Sequence, residues 1–239
     1  MNKWKEIWEK RTADDEFFQT SKDPKLIWQE LKRIDGFDVG TGEDPKDYYD
    51  SFYNMWDKGN QQLTKNVGEW DSIFEVGCGA GATLYLFAQI GKLVSGIDYS
   101  SQSVEIAKKI LKDADIKCLE ANKITTDEKY DIVMADSVFA YFQDEKYALE
   151  VLNKMYDKAQ KAVFITEVFN KDLEKECLSY RRSQIPNYDQ RYKDLDKLFL
   201  PKDFFKSFMR NKKGELVYTN IDNKYYWNSK FMYNVLIIK

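Results

Sequence analysis

Ile73-Phe74-Glu75-Val76-Gly77-Cys78-Gly79-Ala80-Gly81 is a short apolar run that stops at a glycine-rich turn. Glycine at such a turn lets the backbone approach a ligand closely, and a helix that follows it offers unpaired N–H groups at its first turn. Thr83 to Gln89 reads as that helix. Leu93 to Ile97 reads as the next strand and ends in Asp98, 17 residues beyond Gly81. Strand, glycine turn, helix, strand and acid, in this order, make one half of a nucleotide-binding α/β unit, in which the acid holds ribose hydroxyls.

The pattern continues outward in both directions. Ser101 to Leu111 reads as a helix, Lys117 to Leu119 as a third strand and Tyr130 to Ala135 as a fourth. Lys146 to Ala159 is a helix and Ala162 to Val168 a fifth strand. A polar stretch rich in Tyr and Arg runs to about Asp196. Lys202 to Met209 is helical, and Glu215 to Ile221 and Phe231 to Ile238 close the chain as a strand pair. Strands separated by helices of this length imply a doubly wound parallel sheet. The expected fold is α/β and Rossmann-like, with seven strands, a C-terminal antiparallel pair and an N-terminal helical cap. Residues 1–70 form that cap and 71–239 the main domain, with 171–200 as a substrate-lid insertion. Within the cap, Trp4, Ile7, Trp8 and Arg11 fall at helical spacing. Asp23-Pro24 and Asp44-Pro45 each look like an N-cap followed by proline at the first helical position. Gly36, Gly40 and Gly42 break the chain between those helices, and Gly68 ends the second.

Composition removes several functions. A formal net charge of −3 argues against a broad electrostatic grip on nucleic acid. Cys78, Cys118 and Cys177 are far apart and contain no CxxC pair, so neither a disulfide framework nor structural zinc is expected. No apolar run reaches the length of a membrane span, and the first ten residues lack a secretion signal's apolar region. A cytoplasmic protein, monomer or homodimer, is the expectation. The chain has no histidine, so a general base must be a carboxylate, tyrosine, lysine or cysteine, and the commonest transition-metal ligand is missing.

Two cofactors compete for the glycine turn. Gly77, Gly79 and Ala82 satisfy the looser GxGxxA form that cradles a dinucleotide's pyrophosphate. Glu75, two residues before the first glycine, would repel a pyrophosphate and attract the cationic amino acid end of S-adenosylmethionine. From Ile73 to about Val168 the chain resembles the class I S-adenosylmethionine-dependent methyltransferases. Glu75, Gly77, Cys78, Gly79 and Gly81 match the family's first motif, and Asp98 with Tyr99 in GIDYS matches its ribose-binding segment. Leu119 to Ile124 is similar to the adenine-reading segment, with Glu120 standing where the family has Asp and Ala121 beside it. Asp136 and Ser137 match the end of the fourth strand, which in the family faces the transferred methyl group. The resemblance implies S-adenosylmethionine as cofactor, S-adenosylhomocysteine as product and no metal. Tyr53 of the cap is a further candidate for the cofactor carboxylate.

The acceptor is a different matter. Asp136 and Tyr141 follow strand four and Glu167 ends strand five, where open α/β sheets bind ligands, and these three are the candidate catalytic groups. Phe139 and Phe142 read as core. Three of the six arginines, Arg181, Arg182 and Arg191, lie in one stretch interleaved with tyrosines, Tyr180 among them. An arginine fork suits phosphate or carboxylate, so this stretch is the candidate lid for an anionic small-molecule acceptor. The layout has a looser similarity to small bacterial methyltransferases of capsule and surface-glycan biosynthesis, which implies O-methylation of a sugar nucleotide or phosphoramidate. N-methylation of a small amine or protein side chain, and a non-catalytic cofactor-binding module, are the alternatives.

Overall fold

A computed structural model describes residues 3–36 and 44–239. Gly40 and Gly42 lie outside the described residues. The chain opens with four helices: α1 (Lys3–Trp8), α2 (Asp15–Thr20), α3 (Pro24–Ile34) and α4 (Pro45–Val67). Both Asp-Pro pairs act as the sequence suggests. Asp23 Oδ1 accepts from Lys25 N–H and Asp44 Oδ1 from Lys46 N–H, each at 2.8 Å, with proline opening the helix where no donor is missed. Arg11 falls beyond the end of α1, and α2 has no counterpart in the sequence reading.

The alternating part follows: β1 (Ser72–Val76), α5 (Ala82–Gln89), β2 (Leu93–Asp98), α6 (Ser101–Ile110), β3 (Asp115–Cys118), β4 (Tyr130–Asp136), α7 (Glu145–Lys158) and β5 (Ala159–Phe169). Then come α8 (Glu174–Gln184), α9 (Tyr188–Arg191), α10 (Lys202–Met209), β6 (Glu215–Asn220) and β7 (Met232–Ile238). The seven strands form one sheet in the order β3-β2-β1-β4-β5-β7-β6. β1 to β5 are parallel; β7 pairs antiparallel with both β5 and β6. This is the Rossmann-like sheet expected, with its C-terminal antiparallel pair. The third strand ends one residue short of Leu119, and the stretch expected as a polar lid is helical in α8 and α9. In α8, Cys177 and Arg181 lie one turn apart and are the buried residues. With so few apolar side chains, its periodicity is faint in sequence.

Side chains alternate across each strand, which divides the core in two. Ile73, Ile132, Met134 and Phe164 pack against α3, α4, α5 and α6; Phe74, Val76, Val133 and Ala135 pack against α7 and α10. The same alternation sends Glu75 and Asp136 toward the α3–α5 side. The chain order reverses between β1 and β4, so a crevice opens beyond the C-terminal ends of these strands.

Trp28 anchors α3 in that core. It is 1% exposed and meets Tyr49 and Tyr53 edge to face at 6.1 and 5.9 Å. Trp28→Ala should remove about 3–5 kcal/mol of stability, read as a lower urea midpoint at unchanged slope.

Candidate functional site

The turn after β1 is shaped by what it must pass. Gly77 and Gly79 have φ of +75° and +53°. A Cβ on Gly77 would stand 2.5 Å from Val138 Cγ2, and one on Gly79 would run into the Asp35 carboxylate. Any side chain here would therefore strain the backbone and collide. Gly81 caps α5 in the left-handed region. Asp35, just past the end of α3, accepts from Ala80 N–H at 2.7 Å. Asp98, at the end of β2, accepts from Gly79 N–H at 3.0 Å and Ser100 N–H at 2.8 Å. Two carboxylates from distant segments thus hold the turn from either side, as anions at a helix N-terminus do.

Around it, Asp35, Glu75, Asp98 and Asp136 gather in one cleft. Glu75 is 2% exposed, and its Oε2 has no hydrogen-bond partner. Burial, then the neighbouring Asp136 and Asp35 carboxylates, push its carboxyl well above the ordinary range. Burial likewise raises Asp35 to about 7 and Asp98 to about 6. Lys32 stands 3.9 Å from Asp136, whose carboxylate also accepts from the Thr83 hydroxyl at 2.9 Å and from the Thr166 hydroxyl. Arg11 lines the same end, with its Nε buried and unpartnered, and so does Tyr99, whose buried hydroxyl has no partner. Four acids facing one another, with orphaned polar atoms at the wall, suit a ligand that carries positive charge and has both donors and acceptors.

The cleft has a volume of about 1210 Å³, room for two small molecules side by side. At one end it is lined by Leu119, Glu120, Ala121 and Asn122, the last two in a short 3₁₀ turn. Glu120 pairs with Lys5 of α1 at 3.7 Å. At the other end the walls are aromatic and basic: Tyr141, Phe169, Tyr226 and Trp227 with Arg181 and Lys197. Arg181 is 4% exposed. Its Nε donates to Tyr188 Oη at 3.0 Å and its Nη1 to Asn228 Oδ1 at 3.1 Å, and its Cζ lies 5.0 Å from the centroid of the Trp227 ring. Among the described residues no carboxylate lies within ion-pair distance of it.

Beneath these walls the backbone is strained. Ser137, just past β4, and Glu167, within the last residues of β5, have φ of +59° and +58°, rare for residues with a Cβ. The β5–β7 register shifts between Ile165 and Val168. Glu167 is 2% exposed; its Oε2 accepts from Tyr226 Oη at 3.0 Å, and burial raises its carboxyl to about 7. Burial, and then the Glu167 charge, push the Tyr141 phenol up to about 12.

Most residues singled out in sequence meet in this cleft: Glu75, Gly77, Cys78, Gly79, Asp98, Tyr99, Glu120, Ala121, Asp136, Ser137, Tyr141, Tyr180 and Arg181. Glu167 lies behind Tyr226, outside the lining. Tyr53 is 41% exposed on α4 between Trp28 and Trp56; Tyr48, on the inner face of that helix, is the tyrosine that reaches the cleft. Arg182 is an exposed partner of Asp189 at 3.0 Å, and Arg191 is exposed on α9. Of the arginine cluster only Arg181 faces inward. Asp35, Lys32 and Lys197 escaped the sequence reading. The first two continue the helical face of Trp28 and Leu31, a periodicity that marks the inward side but not its use.

The sequence family described as "Methyltransferase domain" matches residues 69–227. No curated protein matches the chain by sequence. Among solved structures, the chain is similar to magnesium protoporphyrin IX methyltransferase from Synechocystis PCC 6803 with bound SAH, at 17% identity and a TM-score of 0.60, covering 91% of this chain and 100% of that one. It is also similar to the plantazolicin methyltransferase BpumL in complex with a pentazolic desmethylPZN analog and SAH, at 14% identity and a TM-score of 0.60, covering 100% and 99%.

The buried acids make stability depend on pH even without ligand. Asp35, Asp98 and Glu167 have folded-state values raised to about 7, 6 and 7. Between pH ~4 and ~7 the folded chain holds protons that the unfolded chain has released, so stability falls as pH rises through that window. The Tm of the ligand-free protein should drop by several degrees from pH 5 to 7, above which these three acids contribute no further fall. Asp35→Asn, which keeps the acceptor for Ala80 N–H, should flatten that slope; an unchanged slope would refute the assignment.

Proposed function

The chain belongs to the methyltransferase-domain family, and on that premise we propose that it transfers the methyl group of S-adenosylmethionine to a small anionic acceptor. The acid end of the cleft fits the cofactor. Its sulfonium and ammonium charges answer Asp35, Glu75, Asp98 and Asp136, and the unpartnered Glu75 Oε2 offers an acceptor for the ammonium. Arg11 and Lys32 line the same cleft as cations suited to its carboxylate, Asp98 is the acid for its ribose hydroxyls, and the Glu120–Asn122 turn is the wall for its adenine. A nicotinamide dinucleotide would set a pyrophosphate among these carboxylates, which argues against it. When bound, the cofactor supplies an electrophilic methyl group. The protein's part is to align the acceptor oxygen with it and to exclude water.

One observation carries the acceptor class. Arg181 is a buried guanidinium that faces the cleft, held by Tyr188 and Asn228 and paired with no carboxylate among the described residues. A buried cation needs a counter-charge, and an acceptor phosphate, phosphoramidate or carboxylate would provide it. Lys197 adds a second basic group at the same end. An ammonium acceptor would meet both, which weighs against N-methylation. Sugar nucleotides and phosphoramidates are acceptors of the right charge, and O-methylation of such a glycan precursor is the reading we favour.

Labelled S-adenosylmethionine with a panel of nucleotide-activated sugars, phosphoramidates, aryl carboxylates and amines tests the proposal. Transfer to anionic members is expected; transfer confined to amines or uncharged acceptors would sink it. Arg181→Gln should raise the acceptor KM about 10-fold or more, in line with ~1.5–3 kcal/mol for a hydrogen bond to a charged group, and leave cofactor affinity unchanged. Glu75→Gln should do the reverse, weakening the cofactor's Kd while sparing the acceptor.

A further inference from the structure

Lys197 lies within the stretch expected as a substrate lid, but no sequence signal singles it out. The extended segment that carries it is pinned at three points. Leu198 N–H donates to Ala140 O at 2.8 Å, Leu200 N–H to Phe169 O at 2.9 Å, and Lys171 N–H to Leu200 O at 3.2 Å. Phe199 and Leu200 are buried below it. The backbone is thereby fixed between the turn after β4 and the end of β5, and Lys197 projects into the acceptor end of the cleft. Its Nζ lies 4.1 Å from the centroid of the Tyr141 ring, 5.0 Å from Trp4 and 5.4 Å from Phe169. Among the described residues it has no ion-pair partner and no hydrogen-bond acceptor. The nearby acids are engaged elsewhere: Asp194 pairs with Lys3 of α1, and Glu167 accepts from Tyr226.

We propose that Lys197, as the neutral amine, is the general base that takes the proton from the acceptor hydroxyl. This rests on the reading of the cleft as the acceptor site of a methyltransferase. The acceptor O–H bond breaks, an N–H bond forms at Nζ, and Lys197 becomes an ammonium while the electron pair stays on the acceptor oxygen for transfer. The anionic group held at Arg181 is then a different part of the acceptor from the oxygen that is methylated.

The groups around Nζ allow both protonation states. Arg181 and the Cys177 thiol face it from α8, Glu167 from the end of β5, Tyr141 from the turn after β4, and Trp4 from α1. Burial disfavours the ammonium first and the Arg181 charge second; Glu167 works the other way, and the amine is lowered to about 7. Three ring faces favour the ammonium once it forms. A group balanced in this way accepts a proton near neutrality and gives it up again before the next turnover, which is what a base must do. The other candidates lack one part of this. Asp136 is occupied by two hydroxyls, Tyr141 is held up at about 12, and Glu167 is shielded by Tyr226.

Competitive acetylation of the whole protein with trace acetic anhydride from pH 5.5 to 10.5, read by peptide mass spectrometry, titrates each lysine without any acceptor. Lys197 should react with a midpoint near 7, against the ordinary 10.5 for exposed lysines. Arg181→Gln should move that midpoint upward. A midpoint at the ordinary value would overturn the proposal, whatever the acceptor proves to be. With an acceptor from the panel, Lys197→Met and Lys197→Arg should lower kcat about 100-fold or more. Both should keep the cofactor Kd and abolish the acid limb of the pH–rate profile near 7. A variant that raised KM alone would assign Lys197 to anion binding and overturn the base role. Failure to find any anionic acceptor would sink the functional reading while the labelling result stood on its own.

Discussion

Four carboxylates, Asp35, Glu75, Asp98 and Asp136, converge around one glycine turn, and much of the architecture serves to make that tolerable. Mutual repulsion and burial would together be costly if all four were ionised, and raised values for three of them are the result. The backbone compensates locally. Ala80, Gly79 and Ser100 give their N–H groups to Asp35 and Asp98, and Thr83 and Thr166 give hydroxyls to Asp136. Glu75 retains a buried oxygen without a donor. A cationic ligand would relieve this repulsion, and ionisation of the acids would accompany its binding. Folding without it leaves the site electrostatically incomplete, which is a strong reason for selectivity toward positive charge.

The geometry of the sheet explains why these groups meet. Glu75 and Met134 face one another across β1 and β4, so alternation brings Glu75 and Asp136 to the same side of the sheet. That side is covered by α3, whose last turn carries Lys32 and whose end carries Asp35. The topological reversal between β1 and β4 opens the crevice beyond the strand ends. The acceptor end is opened by a different device. Left-handed backbone at Ser137, just past β4, and at Glu167, inside the register shift of β5 before Val168, breaks the regular pleat of these two strands. In the space so made, the β6–β7 connection places Tyr226 and Trp227.

What was legible in sequence follows from the range of the forces involved. The glycine turn announces itself because positive φ and close backbone approach are local demands, met by Gly77 and Gly79 within three residues. The strands of the sheet were legible for the same reason, as apolar runs bounded by breakers. Asp98 could be placed because strand length fixes its position relative to the turn. Asp35 could not: its function lies in a contact with Ala80, 45 residues along the chain, that only the packing of α3 on α5 creates. Lys197 is similar, since three backbone hydrogen bonds to other segments decide where it points. In the arginine cluster, composition identified a basic stretch correctly, but α8 has an inner and an outer face. Helical phase sends Arg181 inward and Arg182 to Asp189 at the surface.

Opposite signs at the two ends give the cleft a direction. The cofactor's positive charges would sit where the acids are, and the Arg181 guanidinium would repel them from the acceptor end. An anionic acceptor is drawn the other way by the same field, so each molecule has one orientation of low energy before any contact is made. At the acceptor end Tyr141, Trp4 and Phe169 surround the Lys197 amine with uncharged rings. A chain without histidine can arrange proton transfer there only by shifting another group toward neutrality. Partly burying a lysine beside an arginine does so with no additional residue. The guanidinium that would attract the acceptor's anion also depresses the amine, and the arriving anion would offset that depression. Binding and proton uptake would then be coupled through Arg181, with the amine's basicity rising when the acceptor is in place.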